Sequence, residues 1–169
     1  PAEAVDIAGV VRAASTITGA TLRAGGVELV AEVPPGLPRA WARDIPLEQV
    51  VINLLVNARD AICAAGAGGR VTVRAAAAGG AVVLTIADTG PGFAPHCLAR
   101  AFEPFFTTKA PGKGTGLGLS IAATTIRRFG GTIEARNGAT GGAEVEIRLR
   151  AAGAGPSLEE DPACTLSHA

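Results

Sequence analysis

A chain of 169 residues with 48% apolar side chains can build one compact core but not two full-sized domains. Its 15 Lys and Arg balance 15 Asp and Glu, so the charge argues neither for grip on a nucleic-acid backbone nor for long-range attraction to an anionic membrane. No run approaches the ~18 apolar residues of a membrane span, and no basic-then-apolar leader opens the sequence.

The predicted elements follow in order. Residues 5–23 repeat apolar positions at three- and four-residue spacing and predict a helix. VELVAEV at 27–33 reads as a strand, and PPGLP at 34–38 as an irregular connector. Residues 46–65 form the clearest helix, with Pro46 in its first turn and Leu47, Val50, Val51, Leu54, Ala58, Ala61 and Ile62 along one side. Strands at 70–78 and 81–88 flank Gly79-Gly80, a hairpin signal. DTGPGF at 88–93 is a glycine-rich turn, followed by a short helix around 95–102. Residues 103–115 lack periodicity, and KAPGKGT reads as a mobile loop. A helix over 116–129 ends at Gly130-Gly131, and strands at 132–137 and 143–149 close the fold. The domain is expected over 1–150, with 151–169 a flexible tail or linker. A sheet covered on one face by helices is the economical packing for this order.

Cys63, Cys97 and Cys164 lack C-x-x-C spacing and read as reduced thiols of a cytoplasmic segment. Membrane anchoring of a longer parent is left open. His96 and His168 are the only imidazoles, which weighs against zinc.

Four clusters carry chemistry. Gln49, Asn53, Asn57 and Asp60 share one face of the long helix. Buried amides need partners, and an amide oxygen is a good ligand for Mg²⁺, which takes oxygen ligands together with substrate phosphates. Asn57 is the first choice for that ligand, and solvent-facing polarity is the plainer alternative. Asp88 ends an apolar strand just before Thr89-Gly90-Pro91-Gly92. Its carboxylate suits an exocyclic amine such as that of adenine, with glycines allowing a flat ring to approach; an ordinary Asp-Gly turn is the alternative. In GKGTGLGLS, Gly112, Gly114, Gly116 and Gly118 alternate before a helix, and free N–H groups at a helix start attract phosphate. FEPFFTTK holds three of the five phenylalanines and ends in Lys109, a point charge able to reach a terminal phosphate.

In this order NLLVNARDA, DTGPGF, FEPFFTTK and GTGLGLS resemble the N, G1, F and G2 boxes of the ATP-binding catalytic domain of bacterial sensor histidine kinases. That domain shares its superfamily with gyrase, a heat-shock chaperone and a mismatch-repair ATPase. The resemblance covers roughly residues 5–149. It implies a Bergerat-type α/β sandwich, with a mixed sheet of about five strands covered on one face by helices. It implies ATP and Mg²⁺ as ligands, with Asn57 on the metal, Asp88 on the adenine amino group, and Gly90 and Gly92 shaping the pocket. Gly114, Thr115, Gly116, Leu117 and Gly118 fall in the lid and phosphate site, and Asn53 and Asp60 near the metal and phosphates. Asn57 and Lys109 are the expected catalytic pair.

The family's phosphoryl acceptor is a histidine on a separate helical domain that also dimerises and passes the group to a response regulator. No residue here matches it, and His96 and His168 read as incidental. The isolated domain is expected to be monomeric, without nucleic-acid or direct membrane contact. Gyrase-like relatives carry a glutamate where this chain has Asn53, so water activation is not expected. Ala143 replaces a common threonine, and Arg150 a common proline. A non-catalytic ATP-binding module and a serine-protein kinase or ATPase of the same superfamily are the alternatives.

Overall fold

The computed structural model describes residues 1–66, 68–109, 111 and 114–153. The tail beyond 153, with Cys164 and His168, and Gly112 of the glycine cluster lie outside the described residues.

Two short strands, β1 (Glu3–Val5) and β3 (Ala40–Ala42), pair antiparallel as a separate ribbon. Between them come α1 (Ile7–Ala24) and β2 (Val27–Glu32). After β3 follow α2 (Asp44–Ala64), β4 (Gly69–Ala78), β5 (Ala81–Asp88), the single turn α3 (Pro95–Leu98), α4 (Gly118–Arg128), β6 (Thr132–Asn137) and β7 (Ala143–Arg150). The main sheet has five strands in the order β2-β4-β5-β7-β6. β2 and β4 run parallel and the other neighbours antiparallel. The parallel pair is reached by a crossover through α2, as parallel neighbours require. β4 and β5 turn over Gly79 and Gly80, both at positive φ (55° and 72°), the backbone a two-residue hairpin favours.

Alternation along the strands sorts the two faces. Val71, Val73, Leu84, Ile86, Ile147 and Leu149 point into one core with Val11 and Leu22 of α1, Leu47 and Leu55 of α2, and Ile126 of α4. Burying each such side chain contributes about 1.5–3 kcal/mol. The mixed sheet with helices on one face is the Bergerat arrangement implied by the resemblance. On the other face the charges pair across strands: Arg74 with Glu144, Arg136 with Glu144 and Glu146, and Arg148 with Glu146. Salt bridges so exposed add little stability, but they give this face a polar finish.

The structure departs from the sequence reading in several places, the unpredicted strand β3 and the start of α2 at Asp44 among them. Val5 belongs to β1, and α1 starts after Asp6, whose Oδ1 accepts the Ala8 N–H at 3.1 Å as an N-cap. The helix expected around 95–102 stops after one turn at Leu98. The last helix begins at Gly118, two residues late, because Gly116 takes a φ of 68° that no helix accommodates. Ala151 bridges Ala40, and Ala152 N–H donates to the Arg39 carbonyl at 2.6 Å, so hydrogen bonding to the ribbon continues past β7.

Candidate nucleotide site

A cavity of about 530 Å³ opens between α2, the end of β5, the α3 turn and the start of α4. This is within the range of small-molecule sites. Of the residues singled out in the sequence, Asn53, Asn57, Asp60, Asp88, Gly92, Lys109, Gly114, Thr115, Gly116 and Gly118 line it. Gly90 and Leu117 do not line it and act on the backbone instead. The Gly90 N–H donates to Asp88 Oδ1 at 2.8 Å, and Leu117 supplies the carbonyl that accepts the Ile121 N–H in the first turn of α4.

Asp88 is half-buried at the apolar end. Its Oδ1 takes both the Gly90 N–H and, at 3.2 Å, the Ala143 N–H. Burial pushes its carboxyl above the usual carboxylate range, and these two backbone donors offset the shift only in part. Close packing behind it demands glycine: a side chain at Gly142 would overlap the Asp88 carbonyl oxygen. At Gly92, with φ 74°, a Cβ would stand 2.7 Å from Asn137 Oδ1. Asn137 itself clamps the glycine turn, accepting the Phe93 N–H at 2.7 Å and donating to the Phe93 carbonyl at 2.9 Å. Sequence reasoning missed Asn137 because Asn-Gly at a strand end reads as a hairpin connector. Cys97, which also lines the cavity, carried no patterned signal, and Phe93 was read only as the end of the DTGPGF turn.

The other end is polar. Asn57 projects from α2 beneath the start of α4, where a Cβ on Gly118 would lie 3.3 Å from its Nδ2. The first N–H groups of α4 have no partner within the helix and bring positive potential to the same place. One turn away on α2, Gln49 Nε2 donates to Asn53 Oδ1 at 2.9 Å. Lys109 reaches in from the FEPFFTTK segment and pairs with Asp60. Burial alone would raise the Asp60 carboxyl, but Lys109 and then Arg59 outweigh it and hold the group below the usual range.

Gly116 packs directly against the backbone of Phe105. A Cβ on Gly116 would be 2.5 Å from the Phe105 carbonyl carbon. Phe105, with φ 64°, is the one non-glycine at positive φ among the described residues. The Arg100 guanidinium sits 4.4 Å from the Phe106 ring centroid and bridges Glu103, bracing the segment that carries Lys109. The Asn57 amide oxygen suits Mg²⁺, whereas Asn53 Oδ1 already accepts from Gln49 and the Asp60 carboxylate is engaged by Arg59 and Lys109. Among the described residues no three or more His, Cys, Asp or Glu side chains gather as a metal cluster.

Residues 42–153 match the family model described as histidine kinase-, DNA gyrase B- and HSP90-like ATPase. The chain belongs to this ATPase family. Among its similar proteins are a sensor kinase, CckA of Brucella abortus, and a sensor histidine kinase, ZraS of Salmonella typhi. The C4-dicarboxylate transport sensor protein DctB of Pseudomonas aeruginosa is 40% identical over 147 residues, spanning 87% of this chain and 24% of its own length. The chain thus spans about a quarter of that relative. The catalytic domain of histidine kinase ThkA superposes with a TM-score of 0.78 at 26% identity, covering 89% of this chain and 96% of that one. Full-length ShkA, solved in complex with AMPPNP, superposes at 0.77 with 32% identity, covering 92% of this chain and 32% of that one. The chain is therefore an ATP-binding domain of the histidine-kinase type within the ATPase family.

Proposed function

We propose that this domain binds Mg-ATP in the cavity and delivers the γ-phosphoryl group to a histidine of a separate helical domain, in two-component signalling. The observation that carries the reading is the convergence of Asn57, the α4 N-terminus and Lys109 at one end of a cavity whose other end is Asp88. The occurrence of AMPPNP in the ShkA structure supports it.

The residues divide the work by chemistry. Asp88 Oδ1 is engaged by two backbone donors, which orients the carboxylate so that Oδ2 can accept the adenine amino group. Asn57 offers its amide oxygen to Mg²⁺, with Asn53 and Asp60 as polar neighbours. Bound Mg²⁺ would neutralise phosphate charge and hold the triphosphate in line for attack. Lys109 and the α4 N–H groups stabilise charge on the phosphoryl oxygens. Gly114, Thr115 and Gly116 form the wall that keeps water from the phosphates.

Asn53 favours transfer over hydrolysis. It stands where hydrolytic relatives hold a glutamate, an amide is no general base at neutral pH, and its oxygen already accepts from Gln49. The histidine-bearing domain and a response regulator are the proposed partners. The cytoplasm, where ATP is available, is the proposed compartment. Among the described residues no helix is long and apolar enough to cross a membrane.

The test is transfer. Radiolabelled ATP and Mg²⁺ are mixed with this chain and a helical domain carrying the acceptor histidine. Acid-labile, base-stable label on the acceptor is the expected result. Bound ATP with no label on the acceptor overturns transfer and leaves an ATP-binding module.

A further inference from the structure

Lys109 already has an anionic partner. Its Nζ lies 2.5 Å from Asp60 Oδ2, and the two side chains are 32% and 22% exposed. Asp60 is fixed from the opposite side, because Arg59 Nε donates to Oδ1 at 2.9 Å and a second guanidinium N–H reaches the same oxygen. One carboxylate oxygen is thus engaged by α2's own Arg59, and the other by Lys109. The lysine arrives from 49 residues further along the chain. Its backbone N–H donates to Thr107 Oγ1 at 3.1 Å. Gly114 lies against its stem, where a Cβ would stand 2.6 Å from Lys109 Cδ. Asp60 and Lys109 both line the cavity together with Asn57 and Gly118.

The two partners differ in freedom. Asp60 is anchored by a helix and an arginine, whereas Lys109 has a flexible four-carbon stem that can swing its ammonium elsewhere. A terminal phosphate entering this end of the cavity presents the same chemistry as Asp60, an anionic oxygen, with more charge.

We propose that Asp60 is a built-in stand-in for the γ-phosphate: it holds Lys109 when the site is empty, and the γ-phosphate of ATP must take the lysine from it. The proposal rests on the reading that Lys109 meets the terminal phosphate. A nucleotide without that phosphate leaves the bridge intact, so the bridge weakens ATP binding selectively. After transfer Lys109 returns to Asp60, and ADP is left without a lysine contact. If the bridge is closed nine-tenths of the time, ATP affinity is lowered about tenfold, because only the open fraction offers the lysine.

The experiment is a double-mutant cycle. Kd values for ATP and ADP with Mg²⁺ are measured by titration calorimetry on the unmodified chain, Asp60→Asn, Lys109→Ala and the double variant, with thermal unfolding as a check of folding. Asp60→Ser replaces Asp60→Asn if the amide variant does not fold. The expected result is that Asp60→Asn tightens ATP binding by about 3- to 10-fold, changes ADP less than about 2-fold, and has no effect on ATP once Lys109 is alanine. Weaker ATP binding in Asp60→Asn overturns the proposal, since Asp60 would then support the metal or phosphates directly. Tighter binding that persists in the Lys109→Ala background also overturns it, since general removal of negative charge would explain the gain. Unchanged ATP affinity in Lys109→Ala alone removes the phosphate role of Lys109, and the stand-in falls with it. An unmodified chain that binds no ATP overturns the nucleotide reading itself.

Discussion

Replacing Asp88 by asparagine separates two jobs that one carboxylate performs. Oδ1 accepts the Gly90 and Ala143 N–H groups at 2.8 and 3.2 Å, and an amide oxygen in the same place continues to accept both. The glycine turn and the start of β7 therefore keep their geometry. The other atom changes from acceptor to donor. Facing an adenine amino group, the amide sets donor against donor, and a hydrogen bond to a charged acceptor worth ~1.5–3 kcal/mol is lost. That corresponds to about 10- to 150-fold weaker ATP binding. Guanine places a carbonyl oxygen where adenine has its amine, so the Asp88→Asn variant should lose less affinity for GTP, or gain some. Calorimetric titration with each nucleotide reads the ratio, and thermal unfolding verifies the fold.

The pH dependence gives a second readout of the same group. Burial raises the Asp88 carboxyl above its ordinary value, so protonation begins at a higher pH than for a free aspartate. ATP affinity should fall as pH drops through that raised value, because the protonated carboxyl is a poorer acceptor. The Asp88→Asn variant should lack that limb. An unchanged ATP-to-GTP ratio would refute the reasoning.

Three further outcomes are expected. Asn57→Ala should abolish Mg-dependent nucleotide binding, exceeding the ~10–100-fold cost of disturbing a metal ligand's outer partners; normal transfer to a supplied histidine domain would contradict its role. Asn53→Glu should raise phosphate release from ATP by at least about tenfold, short of the ~10²–10⁴ of a fully aligned general base because Gln49 competes for the carboxylate; a colorimetric phosphate assay decides, and no rise would remove Asn53 as the brake on hydrolysis. Gly116→Ala places a Cβ 2.5 Å from the Phe105 backbone at a φ of 68°. It should cost ~1–2 kcal/mol in denaturant-measured stability from left-handed strain alone, and weaken ATP binding as the wall of the cavity shifts.

What was legible in the sequence follows from the range over which each signal acts. α2 stood out because Leu47, Val50, Val51, Leu54 and Ala58 repeat over several turns, and all are buried. The β4–β5 hairpin stood out because Gly79-Gly80 has few other uses between two apolar alternations. β1 and β3, at three residues each, are too short to show a period and exist only because each pairs with the other. Gly116 was visible as a glycine, but its contact with Phe105 was not, so α4 was drawn two residues early. The four motifs could be seen as separate patches. That they surround one cavity depends on the sheet order, which brings Ala143 of β7 against Asp88 of β5, 55 residues apart. Asn137 was hidden for the same reason, since its partner Phe93 is 44 residues away.

The ribbon outside the main sheet has a mechanical consequence. β3 receives β1 on one side, with Ala4 opposite Trp41, and meets Ala151 through Ala40. The β1 strand and Ala151 are therefore stitched to the same three-residue post. Tension applied between those two points falls first on the post, whose few hydrogen bonds yield before the ladders of the five-stranded sheet. Residues 3–5 and 151, at opposite ends of the described fold, thus meet on one post.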